Sequence, residues 1–242
     1  MFTKQQIIEL MDLTSLNDND TSQDISALCQ QATTPLGKVA SVCIYKQFIP
    51  VAKNFVNDIN ITTVINFPSG RESIKKTLNE LNEALSLGAN EIDVVMPYYL
   101  LQNQKHKEVE LFLKEVKKQC NNNILKVIIE SGELKSESLI RLASKISIFI
   151  GADFIKTSTG KVPINATLDA TKYMLEEIKS SQSNCGFKAA GGIKTYVDAC
   201  EYLDLAKSIL GEKFITPKTF RFGASSLLND LLNNNNKKNQ GY

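Results

Sequence analysis

The chain has one histidine in 242 residues. His106 lies in the polar run Lys105-His106-Lys107-Glu108, the setting of a surface side chain. A Ser-His or Cys-His nucleophilic pair and a multi-histidine zinc site are thereby disfavoured. Cysteine is also sparse: Cys29, Cys43, Cys120, Cys185 and Cys200 are scattered, odd in number and never spaced as Cys-x-x-Cys. They read as reduced thiols, with no disulfide framework. No apolar run approaches the roughly 18 residues that a membrane-spanning helix needs. Met1-Phe2-Thr3-Lys4-Gln5-Gln6 has no signal-peptide apolar core, so a cytoplasmic protein is expected. Neither charge sign dominates, with 28 basic against 26 acidic residues. Nothing therefore points to nucleic acid or an anionic membrane as a partner.

What is present is a regular alternation. Apolar residues make up 43% of the chain, enough for a sizeable core. Thr3 opens a short helix through a Thr-x-x-Gln capping box, and Met11 to Thr14 follows as a strand. Thr21 to Ala32 is amphipathic, and Val39 to Tyr45 is a β-rich run. A helix opened by Pro50, with Phe55 and Val56 helping to pack it, is expected next. Further strands are predicted over Ile61–Phe67, Glu91–Met96, Leu125–Glu130, Phe154–Thr157, Cys185–Ala190 and Phe220–Ala224. Helical periodicities lie between them, with Ser136, Thr167 and Thr195 as candidate caps and Gly88 as a stop. About eight strand–helix units at spacings of roughly 22–35 residues predict a (β/α)8 TIM barrel with a short extra N-terminal helix. A doubly wound open sheet is the alternative, but no Gly-x-Gly-x-x-Gly follows the first strand. One domain is expected over residues 1–232, followed by a polar, mobile tail over 233–242.

Four ionisable residues fall inside predicted strands: Asp12, Asp93, Lys156 and Lys188. A buried cation is costly unless something uses it. Lys156 and Lys188 occupy matching positions on consecutive strands, each before a glycine-containing loop. If both point inward, two cations in a desolvated site depress each other's pKa. A lysine starting near 10.4 needs a shift of roughly 3–4 units to be neutral at pH 7, and burial beside another cation supplies it. A neutral amine attacks carbonyls to give a carbinolamine and then an imine, and Asp93 and Asp12 could move the protons. Such a site needs neither metal nor histidine. Cys43 also lies in a strand, where a buried, inert thiol is expected.

A second constellation suits anions. Gly191-Gly192 follows the seventh strand, and Gly223-Ala224-Ser225-Ser226 follows the eighth and opens a helix. Barrels often hold phosphate with these loops and a helix N-terminus, and Lys161 could join them. Thr157 to Lys161 is not a P-loop, because Ile155 and Val162 stand where glycine and a hydroxyl residue would be required.

With these residues in place, the chain resembles the deoxyribose-phosphate aldolase family, class I aldolases of the (β/α)8 fold. The resemblance is carried by Asp12-Leu-Thr-Ser-Leu-Asn17, Glu91-Ile-Asp-Val-Val95 and Lys126-Val-Ile-Ile-Glu-Ser-Gly-Glu-Leu134. It continues through Phe154-Ile-Lys-Thr-Ser-Thr-Gly-Lys161, Gly186-Phe-Lys-Ala-Ala-Gly-Gly-Ile193 and Arg221-Phe-Gly-Ala-Ser-Ser226. It implies reversible cleavage of 2-deoxy-D-ribose 5-phosphate to D-glyceraldehyde 3-phosphate and acetaldehyde, within deoxynucleoside catabolism. Lys156 would form the Schiff base, Lys188 would lower its pKa, Asp93 would work with Lys188 and a water, and Asp12 would support them. Thr159, Gly160, Lys161, Gly191, Gly192, Ser225 and Ser226 would hold the phosphate. Tyr242 either reaches into the site as a proton donor or acceptor or lies idle. A phosphosugar partner, a monomer or homodimer, and no cofactor are expected. A barrel phosphosugar isomerase working through a carboxylate base and a non-enzymatic phosphosugar-binding relic stand as rival readings.

Overall fold

Eight parallel strands close on one another, because the first pairs with both the second and the last. The structure, a computed structural model, describes residues 2–233. The strands are β1 Met11–Thr14, β2 Ser41–Ile44, β3 Asn60–Ile65, β4 Glu91–Val95, β5 Ile124–Ile128, β6 Phe154–Lys156, β7 Gly186–Ala190 and β8 Phe220–Ala224. Each pairs in parallel with its sequence neighbours, and β1 closes the barrel against β8 with Asp12 opposite Gly223. This is the expected TIM barrel.

The helices between the strands are α1 Lys4–Glu9, α2 Ser22–Gln31, α3 Ile49–Ala52, α4 Ile74–Leu87, α5 Tyr98–Gln102 and α6 His106–Cys120. They continue as α7 Ser131–Leu134, α8 Glu137–Phe149, α9 Leu168–Ser181, α10 Tyr196–Leu210 and α11 Ser226–Asn233. Six of the starts, those of α1, α2, α4, α8, α9 and α10, are set by side chains that satisfy free backbone N–H groups. Thr3 with Gln6, Thr21 with Asp24 and Thr195 with Asp198 form reciprocal capping boxes. Ser136 and Thr167 cap α8 and α9, and Gly88 ends α4 in the left-handed region at φ 107°.

Period-two alternation along the strands divides the interior into two environments. Met11, Leu13, Val42, Ile44, Ile92, Val94, Leu125, Val127, Ile155, Phe187, Phe220 and Phe222 join the helices' apolar faces in one continuous core. The rings of Phe187, Phe220 and Phe222 stack tilted or edge-on at 5.6 and 5.0 Å between centroids. Apart from this core lies a small separate apolar cluster of Leu16, Cys43 and Val64, with Tyr45 and Phe67 packed against it. Most of the interior is polar, and that is where the chemistry is placed.

Three details differ from the sequence expectation. The segment after β2 forms a 3-10 turn and the one-turn α3, and Phe55 stays exposed while Val56 is buried. A two-residue hairpin, Thr33–Thr34 against Gly37–Lys38, precedes β2. The short α5 and α7 interrupt loops that the periodicity reads as irregular. All are too short to carry a period. The residues from 234 onward, Tyr242 among them, lie outside the described residues, as does most of the expected tail. No helix among the described residues is long and apolar enough to cross a membrane.

Candidate active site

The alternation that sends Leu and Ile outward sends charges inward. Asp12 on β1, Glu91 and Asp93 on β4, Lys126 on β5, Lys156 on β6, Lys188 on β7 and Arg221 on β8 are all buried. Register sets them side by side: Asp93 stands opposite Lys126, Lys156 opposite Lys188, and Lys188 opposite Arg221. Ion pairs join them into one network. Asp93 is its hub. Its Oδ2 accepts from Lys156 Nζ and from Lys188 Nζ, each at 2.8 Å, and its Oδ1 accepts from Lys126 Nζ at 3.0 Å. Lys188 also reaches Asp12 at 2.5 Å. Lys126 reaches Glu91 at 2.5 Å and Asp12 at 3.3 Å. Arg221 pairs with Asp12 and, at 3.1 Å, with Glu91.

Three carboxylates therefore face four cations, and such a network is short of one negative charge. Which cation goes uncompensated follows from the pairing. Lys126 touches three carboxylates and Lys188 two, whereas Lys156 touches Asp93 alone. Burial, the largest influence on each, disfavours the charged lysine. For Lys188 and Lys126 the neighbouring carboxylates, Asp12 and Asp93 foremost, outweigh it, and both pKa values are raised. For Lys156, burial prevails over the attraction of Asp93, and repulsion from Lys188 adds to it, so its pKa is lowered. Burial works against the charge of the acids too. The lysines overcome it at Asp93, and Lys126, Lys188 and Arg221 overcome it at Asp12, leaving both carboxylates below their usual range.

Lys156 is also the member of this network that lines the cavity at the C-terminal end of the barrel. At the C-terminal end of the strands lies a cavity of about 350 Å³, lined by Lys156 and by all seven residues singled out for phosphate: Thr159, Gly160, Lys161, Gly191, Gly192, Ser225 and Ser226. Among the described residues, three lysines line it, Lys156, Lys161 and Lys194, and no acidic side chain does. Such a wall focuses positive potential and concentrates anions. Gly191 and Gly192 turn with φ near +85° and +88°, and a Cβ on Gly191 would meet the Asn165 side chain at 2.6 Å. Gly223 in β8 leaves room for the Lys188 stem, since a Cβ there would lie 3.1 Å from its Cε. Ser226 begins α11, so backbone N–H groups of a helix start border the same cavity.

The residues read from the sequence thus come together: Lys156, Lys188, Asp93 and Asp12 in one network, with the anion loops above it. Lys188, Asp93 and Asp12 lie beneath the cavity and reach it through Lys156. The sequence reading missed Lys126, Glu91 and Arg221. The signal was present, since Lys126 interrupts Ile124-Leu125 and Val127-Ile128, and Arg221 separates two phenylalanines, as Lys156 interrupts its own apolar run. His106 is exposed, as its polar context suggests. Cys43 is buried inside the barrel with its thiol pKa raised by burial. Among the described residues, no group of three His, Cys, Asp or Glu side chains is placed to hold a metal ion.

The family model for DeoC/LacD family aldolases matches residues 6–233. The chain belongs to the DeoC/LacD aldolase family. Solved structures agree on this fold. A candidate deoxyribose-phosphate aldolase from Coccidioides immitis is 28% identical, with a TM-score of 0.82 over 93% of this chain and 85% of that one. An aldolase named QR15 is 25% identical, with a TM-score of 0.82 over 96% of this chain and 98% of that one. A tetrameric deoxyribose phosphate aldolase from Aeropyrum pernix superposes with a TM-score of 0.76 at 23% identity, over 99% of this chain and 94% of that one. In this aldolase, then, the charged barrel interior and the cavity above it form the candidate active site.

Proposed function

We propose that this aldolase reversibly cleaves 2-deoxy-D-ribose 5-phosphate to D-glyceraldehyde 3-phosphate and acetaldehyde through an imine on Lys156, in the breakdown of deoxynucleosides. One observation carries the reading: the buried cation left uncompensated by the network is the same lysine that lines the anion-suited cavity.

The neutral Lys156 amine attacks C1 of the open-chain sugar, and loss of water from the carbinolamine leaves a protonated imine. The C3 hydroxyl gives up its proton, the C2–C3 bond breaks, and its electron pair passes into the imine to form an enamine. Glyceraldehyde 3-phosphate leaves as the aldehyde. Protonation of the enamine at C2 and hydrolysis of the imine release acetaldehyde and restore the amine. Asp93 and Lys188, which share a hydrogen bond at 2.8 Å beside Lys156 Nζ, are the groups positioned to pass these protons, with a water between them and the substrate. Asp12 and Lys126 hold that pair in place. The substrate phosphate lies against Thr159–Lys161, Gly191–Gly192 and Ser225–Ser226. Among the described residues the cavity wall carries lysines and no acidic side chain, which favours the lysine reading over an isomerase with a carboxylate base there.

Incubation with acetaldehyde and borohydride, followed by peptide mass mapping, tests this reading. N-ethyl-lysine confined to Lys156 is the expected product. No adduct, or adducts spread over exposed lysines, would overturn it.

A further inference from the structure

One fully buried carboxylate, Glu130, makes no ion pair with the barrel network and does not line the cavity. Glu130 follows β5 in the left-handed region, at φ 54° and ψ 60°, which non-glycine residues adopt rarely and at a cost. Its side chain is fully buried. Both carboxylate oxygens accept from the Thr159 backbone N–H, at 3.2 and 3.3 Å. Thr159 lines the cavity, and its Oγ1 in turn accepts from the Lys161 N–H at 3.1 Å.

The rest of the same turn grips the same loop. The Ser131 N–H donates to the Thr157 carbonyl at 2.9 Å. Gly132 lies so close to the loop's far end that a Cβ would come within 1.9 Å of the Ile164 carbonyl oxygen. Three successive residues, 130 to 132, thus meet the segment 157–164 at three points. On its other side, Thr157 Oγ1 accepts from the Ala190 N–H at 3.0 Å. The strained backbone at Glu130 aims its carboxylate at the one amide that begins the Thr159–Lys161 wall.

We propose that Glu130 is a positioning residue that sets substrate affinity by holding the Thr159–Lys161 loop in the form that receives the phosphate. It acts through Thr159 and does not touch the substrate. The inference rests on the phosphosugar reading above, and it specifies which part of the substrate Glu130 serves. A loop released from Glu130 loses affinity for the phosphate group, while attack by Lys156 on the aldehyde proceeds as before.

The test compares KM and kcat for 2-deoxyribose 5-phosphate and for unphosphorylated 2-deoxyribose. In Glu130→Gly, which suits the left-handed backbone but removes the acceptor, KM for the phosphorylated sugar is expected to rise about tenfold, as for one lost hydrogen bond to a charged group. KM for 2-deoxyribose and kcat for both sugars are expected to stay within about twofold, because burial, Asp93 and Lys188 are the main influences on the Lys156 charge and Glu130 is a lesser one. Glu130→Gln keeps a carbonyl acceptor of the same reach and is expected to restore most of the affinity. Should Glu130→Gly fail to fold, Glu130→Asn replaces it, tolerating the backbone while being one methylene too short to reach Thr159. Equal rises for both sugars, an unchanged KM, or no rescue by Gln would each overturn the proposal. A wild-type protein without preference for the phosphorylated sugar would overturn the functional reading and this inference together. A wild-type preference that persists in Glu130→Gly would overturn the inference alone.

Discussion

Replacing Lys188 with Leu should raise the pKa of Lys156, and the charge count says why. With Lys156 neutral, three carboxylates meet three cations, Lys126, Lys188 and Arg221. Removing Lys188 leaves two, and the network then balances only if Lys156 carries its proton. Lys156 and Lys188 both sit 2.8 Å from the same Asp93 oxygen, so their ammonium groups are close neighbours. Two unit charges about 4 Å apart interact by about 4 kcal/mol at an effective dielectric constant of about 20. At about 1.4 kcal/mol per pKa unit, that is an upper limit of about three units. Asp12 and Asp93 already offset part of the Lys188 charge, so a rise of about one to two units is expected, and the pH at which Lys156 becomes half neutral should move up by that amount. The variant should still fold, because Asp12 keeps Lys126 and Arg221 while Asp93 keeps Lys126 and Lys156. The rate of borohydride-trapped adduct formation at Lys156, followed against pH, reports the shift. A profile unchanged in Lys188→Leu would refute the reasoning.

Other expectations follow from the same geometry. Gly191→Ala forces a Cβ against Asn165 in a backbone with φ +85°, which should cost about 1–3 kcal/mol in thermal unfolding and weaken affinity for the phosphorylated sugar; an unchanged melting curve would contradict the tight approach. Ser226→Asp places a negative charge where the phosphate is to sit, and should erase the preference for 2-deoxyribose 5-phosphate over 2-deoxyribose by about tenfold or more in kcat/KM. If the preference survives, the phosphate lies elsewhere. Acid should destabilise the fold in a defined window. Asp12, Glu91 and Asp93 are held below their ordinary values of 3.8, 4.5 and 3.8, so their contribution is present above those values and lost as pH falls through the lowered ones. Urea melts should lose stability steadily below about pH 4, and a flat profile from pH 5 to pH 2 would show that these carboxylates are not paired as described.

Much of the site is legible in the sequence because its strongest signals are local. A charge inside an apolar β-run is rare enough to mark Lys156 and Lys188, and the Thr-x-x-Asp and Thr-x-x-Gln patterns mark helix starts that the structure reproduces at Thr195 and Thr3. Lys126 and Arg221 obey the same rule and were still overlooked, although Gly223 follows Arg221 as closely as Gly191 follows Lys188. The charge balance is another matter. That Lys188 is doubly paired and Lys156 singly paired depends on which strands lie side by side and how their registers align. That information appears only once the barrel is closed. Glu130 is hidden for a similar reason: at the end of an apolar strand it reads as a boundary residue, and only the fold reveals that its carboxylate is buried against the Thr159 amide. The excess helix expected around Phe55 fails because apolar residues alone do not make a buried face, and Phe55 lies past the end of α3 with its side chain exposed.

The central claim is that one lysine of this buried network is set apart as the uncharged amine. Competitive labelling of the intact protein with a trace amount of an amine-directed acylating reagent, across pH and with peptide-level readout, measures the titration of Lys156 and Lys188 in the same sample. The account predicts that Lys156 becomes reactive below the pH range of the exposed lysines, while Lys188 stays protected above it. Equal titration of the two, or Lys188 losing its proton first, would contradict it.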